Sequence, residues 1–489
     1  MKAFRSLAIS LLTLMAWSAI ASSQQPVTSK WTKLTNSPTF DADTALLLTD
    51  GTVMVHQYLS SAWWRLTPDI AGSYVNGTWT SLASMQSGYA PLYFASAVLA
   101  DGRVVVEGGE YNGGSEDEIN KGAIYDPTIN AWTSITAPSG WTHIGDASSI
   151  VLPDGTFMLG NCGVANTICS PFQLQQALLD ATSLTWTITG ANKADQNSEE
   201  GWTLLPTGDV LTVDVWNGTE SELYDPSTGS WTLAGSTVAK LPNTSCVEIG
   251  PAVLRPDGTV FATGGTSNTA IYNTSTGAWA AGPTFPAGLG IDDGPAAILP
   301  DGNVLVDAAP ISPCYAKGSK FYEFNGTSLI AEAGPANASK DPSYVGRMLV
   351  LPTGQVLFTD GTKTVEVYAT TGTYQTAWRP NITSVASTLT AGSTGNVIQG
   401  TQFNGLSQGA AYGDDAQMAT NYPLVRIVNK ATKHVFYART HDHSTMGVAT
   451  GSIVVSTSFD VPAAAETGPS IVVVVANGIA SKGKLVTLN

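Results

Sequence analysis

The chain is predicted to be all-β, a seven-bladed β-propeller followed by an immunoglobulin-like β-sandwich. Three features of its 489 residues carry that expectation. Two apolar runs separated by a glycine turn recur seven times at long intervals; an aromatic pair of fixed spacing recurs beside them; and beyond Pro380 the rhythm gives way to short, closely spaced strands. Such repeats mark arrays in which each unit is one supersecondary element that cannot bury its apolar face alone.

From the N-terminus, the first 21 residues, MKAFRSLAISLLTLMAWSAIA, place Lys2 and Arg5 before an apolar run that ends in Ala19-Ile20-Ala21. This is the pattern of a cleaved signal peptide. The run is short for a bilayer span and no later stretch reaches spanning length. We expect a secreted chain, extracellular or periplasmic and monomeric, with no stable membrane span after cleavage. A net charge of −16 on a chain with only 12% charged residues repels phosphate backbones, so nucleic acid is excluded as a partner. Four cysteines in an exported chain are expected as disulfides. Cys162 and Cys169 are close enough to staple one loop, leaving Cys246 and Cys314 as a longer link, although four cysteines allow three pairings.

The propeller is assigned to residues 22–378. Its repeating hairpin reads TALLLTDGTVMVH, SAVLADGRVVVEGG, SSIVLPDGTFMLGN, GWTLLPTGDVLTVD, PAVLRPDGTVFATGG, AAILPDGNVLVDAA and RMLVLPTGQVLFTDG. The turn glycines are Gly51, Gly102, Gly155, Gly208, Gly258, Gly302 and Gly354, separated by 44 to 53 residues, which suits one four-stranded blade per repeat. Asp-Gly between apolar runs is a strong hairpin signal because glycine supplies positive φ without steric cost. Tyr125, Tyr224 and Tyr272 each stand seven residues before a tryptophan, Trp132, Trp231 and Trp279, and these aromatics are expected to pack between neighbouring blades. The seventh repeat lacks an obvious outer strand after Tyr368, whereas Trp31-Thr32-Lys33-Leu34 precedes the first hairpin. That strand is expected to complete the last blade, closing the ring and hiding an edge. Residues 379–489 supply about seven short strands in roughly 110 residues, as a sandwich of immunoglobulin type needs.

The first strand of each blade lines the central channel, so equivalent positions at its start form a ring at one mouth. Counting nine residues back from each glycine gives Ala42, Tyr93, Asp146, Glu199, Ile249, Asp293 and Val345; flanking positions add Asp41, Asp43, Glu200, Glu248, Asp292 and Tyr344. A bulge of one residue would swap neighbours within this set. The mouth is predicted to be strongly acidic. Clustered carboxylates raise one another's pKa unless a cation or water screens them. A metal site, acid/base chemistry, or recognition of a cationic or hydroxyl-rich ligand are the readings that follow.

With these landmarks the chain resembles the galactose oxidase and glyoxal oxidase group, as a divergent member: a kelch-type propeller with an immunoglobulin-like C-terminal domain. The resemblance covers nearly all of the chain beyond residue 21. Those enzymes hold one copper with two tyrosines and two histidines, one tyrosine being thioether-linked to a cysteine, and oxidise primary alcohols or aldehydes. The resemblance implies that Tyr93 matches the cross-linked tyrosine and Tyr344 the tyrosine of a Tyr-His pair, both catalytic. Val345 stands where that pair has histidine, and Phe40-Asp41-Ala42-Asp43 where the cysteine is expected, so no thioether forms there. The remaining ligand is a histidine in a Thr-His loop of the C-terminal domain. Thr440-His441, in Arg439-Thr440-His441-Asp442-His443-Ser444, resembles it, with His434 as the alternative alignment. An HxH pair on an extended segment points both imidazoles to one side, which suits Cu(II) or Zn(II). The implied copper ligands are therefore His441, His443 and Tyr344, with His443 replacing the histidine missing at Val345. His56 and His143 have no spacing that recommends them.

Three functions follow. The first is a copper-dependent oxidase of alcohols, aldehydes or carbohydrates with an altered ligand set. The second is a non-catalytic extracellular glycan-binding propeller whose contacts include Asp146, Glu199, Glu248 and Asp293. The third is a glycan hydrolase or lyase using two channel carboxylates as acid and base. Small alcohols, aldehydes and carbohydrates are the expected partners. No nucleotide loop, zinc-protease motif or nucleophile elbow is present.

Overall fold

A computed structural model describes residues 30–146, 148–162, 174–413 and 418–489. The expected leader and Cys169 lie outside the described residues. Seven antiparallel four-stranded blades follow one another in chain order, blade 6 carrying extra short strands, and a β-sandwich comes after them. Blade 1 is Ala42–Leu47, Val53–Gln57, Trp63–Thr67 and Thr78–Ser81; blade 2 runs from Ala95–Val98 to Ala131–Thr136. Blade 7 has Arg347–Val350, Val356–Thr359 and Glu366–Ala369, and Lys30–Lys33 as its outer strand, with Trp31 opposite Tyr368. First strands of successive blades touch in order, and that of blade 7 touches that of blade 1, which closes the ring.

Each hairpin follows from its turn. The seven turn glycines have φ between +75° and +93°, a region costly to any residue with a Cβ. The preceding aspartate explains why Asp-Gly recurs. Oδ1 of Asp50, Asp101, Asp154, Asp257 and Asp301 accepts a bond from the backbone N–H two residues on, a side-chain cap on the turn.

The fixed Tyr-to-Trp spacing is a cross-strand pair. Tyr125 lies opposite Trp132, Tyr224 opposite Trp231 and Tyr272 opposite Trp279, with ring centroids 5.1, 5.3 and 5.0 Å apart. The indole N–H then reaches the preceding blade: Trp132 donates to Ala83 O at 2.9 Å, Trp186 to Thr136 O at 2.8 Å, Trp231 to Gln176 Oε1 at 2.9 Å and Trp279 to Ser221 Oγ at 2.9 Å. In blades 2 to 5 one tryptophan thus fills the wedge against the preceding blade and satisfies its polar atom there.

The sandwich packs Ile382, Ile398, Val425, Ile427, Phe459, Val472 and Val474 between its layers. It sits on the hairpin-turn side of the propeller. Arg439 Nη2 donates to Asp101 O at 2.9 Å, His443 N to Ala100 O at 3.1 Å and Met446 N to Pro153 O at 2.9 Å, all at blade turns. One segment leaves the sandwich and enters the channel. Ala410–Ala411 pairs with Ala296–Ile298 of blade 6, and Gln408 Oε1 accepts from Leu204 N of blade 4 at 2.8 Å. The passage is tight: a Cβ on Gly413 would run into Asp293 Oδ1, and one on Gly201 into the Gly413 carbonyl.

Candidate functional site

At the mouth away from the sandwich lies a cavity of about 430 Å³. Its walls come from the strand starts that the repeat places there. Tyr93, Glu199 and Asp293 are the nine-back positions of blades 2, 4 and 6, and they share a left-handed backbone, φ +50°, +64° and +54°. Non-glycine residues pay of order 1 kcal/mol or more for that conformation, and such kinks turn the strand ends. In blade 5 the register shifts between Ile249 and Ala252; Glu248 lines the cavity and Ile249 is buried. In blade 7 a short 3₁₀ turn, Ser343–Val345, presents Tyr344 in place of Val345.

One wall is acidic. Asp146, Glu199, Glu248 and Asp293 all line the cavity, and carboxylate oxygens of the last three lie within 4.8 Å of one another. Ionised together at that separation they repel by about 3 kcal/mol per pair at an effective dielectric near 20. The other flanking acids turn elsewhere. Asp43 faces His56 Nδ1 at 3.4 Å, Glu200 receives Lys193 Nζ at 2.9 Å, and Asp292 accepts from Asn243 Nδ2 at 3.1 Å. Burial pushes the Asp292 carboxyl up to about 6.

The opposite wall is phenolic. Tyr58, Tyr93, Tyr111, Tyr344 and Tyr412 line it, Tyr93 packing edge-on to Tyr344 with centroids 6.2 Å apart and to Tyr111 at 6.0 Å. Burial holds the Tyr93 and Tyr344 phenols above their ordinary pKa, and burial with Glu110 beside it pushes Tyr111 up to about 12. These phenols are neutral near pH 7.

Tyr315 joins the two walls. Its hydroxyl donates to Glu248 Oε1 at 2.6 Å. Cys314 precedes Tyr315 and Cys246 stands two residues before Glu248, and these cysteines form a disulfide with Cα atoms 5.6 Å apart. The bridge therefore fastens this contact. The companion pairing of Cys162 with Cys169 involves a residue outside the described set.

The two histidines of the HxH pair do not reach this cavity. They lie at the sandwich–propeller junction, on the hairpin-turn side. His441 is held by Asp442 Oδ2 at 2.7 Å and Asp460 Oδ1 at 3.2 Å, so both ring nitrogens are engaged. Asp442 has φ +51°, which breaks the strand alternation that would aim both rings one way. His443 turns inward, bonds Thr457 Oγ1 at 2.9 Å and lies parallel to Tyr422. His434 pairs with Glu466 at 2.7 Å near the surface. The ligand set His441, His443 and Tyr344 is thus divided between opposite faces. The segment that enters the channel is Ala410–Ala411 with Tyr412, carrying a phenol where an imidazole was expected.

Burial, with the neighbouring His441, depresses the His443 pKa to about 3 from the usual 6.5. The unfolded chain takes up a proton that the folded chain refuses between those values. The contribution is complete above about pH 6.5 and is lost as pH falls toward 3, at about 1.4 kcal/mol per unit. We expect His443→Gln to flatten the acid limb of the Tm–pH curve, with a relative gain approaching about 3 kcal/mol at pH 4. Parallel curves for the two proteins would contradict the buried neutral imidazole.

Sequence counting missed Tyr58, Glu110, Tyr111, Tyr315 and Tyr412. Tyr315 had a signal, its position beside a cysteine paired to one next to Glu248. The others come from second-strand ends, loops and the threaded segment, and no repeat register points to them.

The strand order defines a fold class, a seven-bladed β-propeller with a C-terminal β-sandwich. No family model matches the chain. Among solved structures, a novel fungal alcohol oxidase of the AA5 family, in complex with copper, is similar with a TM-score of 0.52 at 15% identity, over 94% of this chain and 100% of that one. The likeness is one of fold. In sequence, the Kelch-like protein terF of Aspergillus terreus is 31% identical over 99 residues, a match spanning 19% of this chain and 20% of that protein.

The residues present do not fit the copper set that the family comparison implied. Among the described residues lining the cavity there is no histidine and no cysteine. The Tyr412 hydroxyl is committed as a donor to Tyr344 O at 2.6 Å. Without imidazole or thiolate the clustered carboxylates offer hard oxygen ligands, a poor match to copper.

Proposed function

We propose that this protein is an exported, monomeric carbohydrate-binding propeller whose mouth receives a hydroxyl-rich ligand bearing a cationic group, with an amino-sugar unit as the fitting class. One observation carries the reading: three carboxylates within 4.8 Å of one another face a tyrosine wall in one cavity, with no cationic side chain among the described lining residues. An ammonium among the acids relieves their mutual repulsion. Tyrosine offers both a face for sugar C–H groups and a hydroxyl for sugar oxygens. The volume suits one or two sugar rings. No helix among the described residues is long and apolar enough to cross a membrane.

The test is calorimetric titration with glucosamine oligomers, their N-acetylated forms and neutral glucose oligomers. Amino forms are expected to bind at least about tenfold tighter, since a charge-assisted contact contributes about 1.5–3 kcal/mol. Glu248→Gln is expected to remove most of that preference. Equal binding of all three series, or no effect of the substitution, sinks the reading. Protein purified without chelator is expected to hold far less than one copper per chain; stoichiometric copper with peroxide formed from any alcohol or aldehyde would restore the oxidase instead.

A further inference from the structure

Behind the phenolic wall lies a guanidinium that does not itself line the cavity. Arg347 is 1% exposed, and its Cζ lies 4.0 Å from the Tyr412 ring centroid and 5.3 Å from that of Tyr93. Its Nη1 donates to Tyr344 O at 2.7 Å and Gly346 O at 2.9 Å, and Tyr412 donates to the same Tyr344 carbonyl. Two wall tyrosine rings, Tyr93 of blade 2 and Tyr412 of the threaded segment, and the backbone carbonyl of a third, Tyr344 of blade 7, therefore meet on one buried cation. Its counter-charge is Asp43, 2% exposed; burial works to raise that carboxyl, but the His56 bond and Arg347 hold it below the usual range.

We propose that Arg347 is a positioning and specificity-determining residue that polarises the cavity, so that a bound ligand sets its ammonium on Glu199, Glu248 and Asp293 and its oxygens on Tyr93, the ring on Arg347 whose hydroxyl is not committed to Tyr344 O. The inference rests on the binding function proposed above and adds the direction of the ligand. Its physics is that of cation–π contact. A guanidinium on one side of a ring draws on its negative face, which leaves the cavity side poorer for a second cation and makes the phenol a better hydrogen-bond donor. The two walls then differ in what they accept. A cation lacking hydroxyls uses only the acidic wall; an amino sugar uses both.

The test compares glucosamine with tetramethylammonium, titrated into the full chain and into Arg347→Met. Glucosamine affinity is expected to fall about tenfold, the loss of one good contact, while tetramethylammonium binds as well or better because the ring faces regain their charge. A collapse of structure alone would lower both together. Parallel loss of both, or no change in either, overturns the proposal while leaving the binding function standing. A wild-type chain that binds neither probe overturns the binding function first. If Arg347→Met does not fold, Arg347→Lys decides, since it keeps the charge without the plane. A partial glucosamine loss of about threefold with the cation unaffected is then the expected result, and parallel loss overturns the proposal.

Discussion

A chain lacking residues 30–34 is expected to lose cooperative unfolding and to associate through blade 7. The strand Lys30–Lys33 pairs along Glu366–Ala369, so its removal exposes that strand's hydrogen-bonding groups as an open edge. The larger loss is Trp31. Its ring packs against Phe321, Phe358 and Tyr368 at centroid distances of 5.2, 5.5 and 5.0 Å, and its indole N–H donates to Ala333 O at 2.6 Å. It joins blade 6 to blade 7 across the point where the chain begins and ends its circle. Trp31→Ala alone is expected to cost about 3 kcal/mol in denaturant titration, the lower end for a large aromatic because the ring is only partly buried. The deletion is expected to exceed that and to shift the protein to larger species on size-exclusion chromatography. An unchanged denaturation midpoint for the deletion would show that the ring closes without this strand.

The second large effect concerns the bridge between Cys246 and Cys314. The cysteines are 68 residues apart in sequence, and closing a loop of that length is worth about 4 kcal/mol through the unfolded state. The double Cys→Ser variant is expected to lose stability of that order. It is also expected to bind the amino-sugar probe about tenfold more weakly, because the bridge beside Tyr315, which is 43% exposed and packs edge-on to Tyr344, helps to hold it against Glu248. Tyr315→Phe separates the two effects: it keeps the bridge and its stability and loses only the bond to Glu248. If the serine variant were less stable but bound normally, the disulfide would serve the fold and not the site.

Much of this architecture is legible in local pattern. Asp-Gly turns fix hairpins because glycine alone adopts their φ cheaply and aspartate caps the next N–H. The seven-residue step from tyrosine to tryptophan fixes the outer strands because it is a cross-strand register, as Tyr125 opposite Trp132 demonstrates. The acidic mouth was legible for the same reason, since equivalent positions in a repeat return to one rim. Where the count slipped, at Ile249 and Val345, a bulge and a 3₁₀ turn moved the exposed side chain by one residue, and neither has a clear mark in sequence.

The histidines were not legible in this way. Thr440-His441-Asp442-His443 carries residues that suit a metal, but the face of the propeller on which a loop lands depends on how the sandwich docks. That docking is set by contacts scattered along the chain, among them Arg439 with Asp101 and Thr445 with Pro153. The same docking sends Tyr412 up the channel. The sequence alone therefore determined the repeat, the ring closure and the acidic rim, because each is periodic and short-range. Only the tertiary structure decided which C-terminal segment completes the site, because that choice is made by non-local packing of two domains, which leaves no period to count.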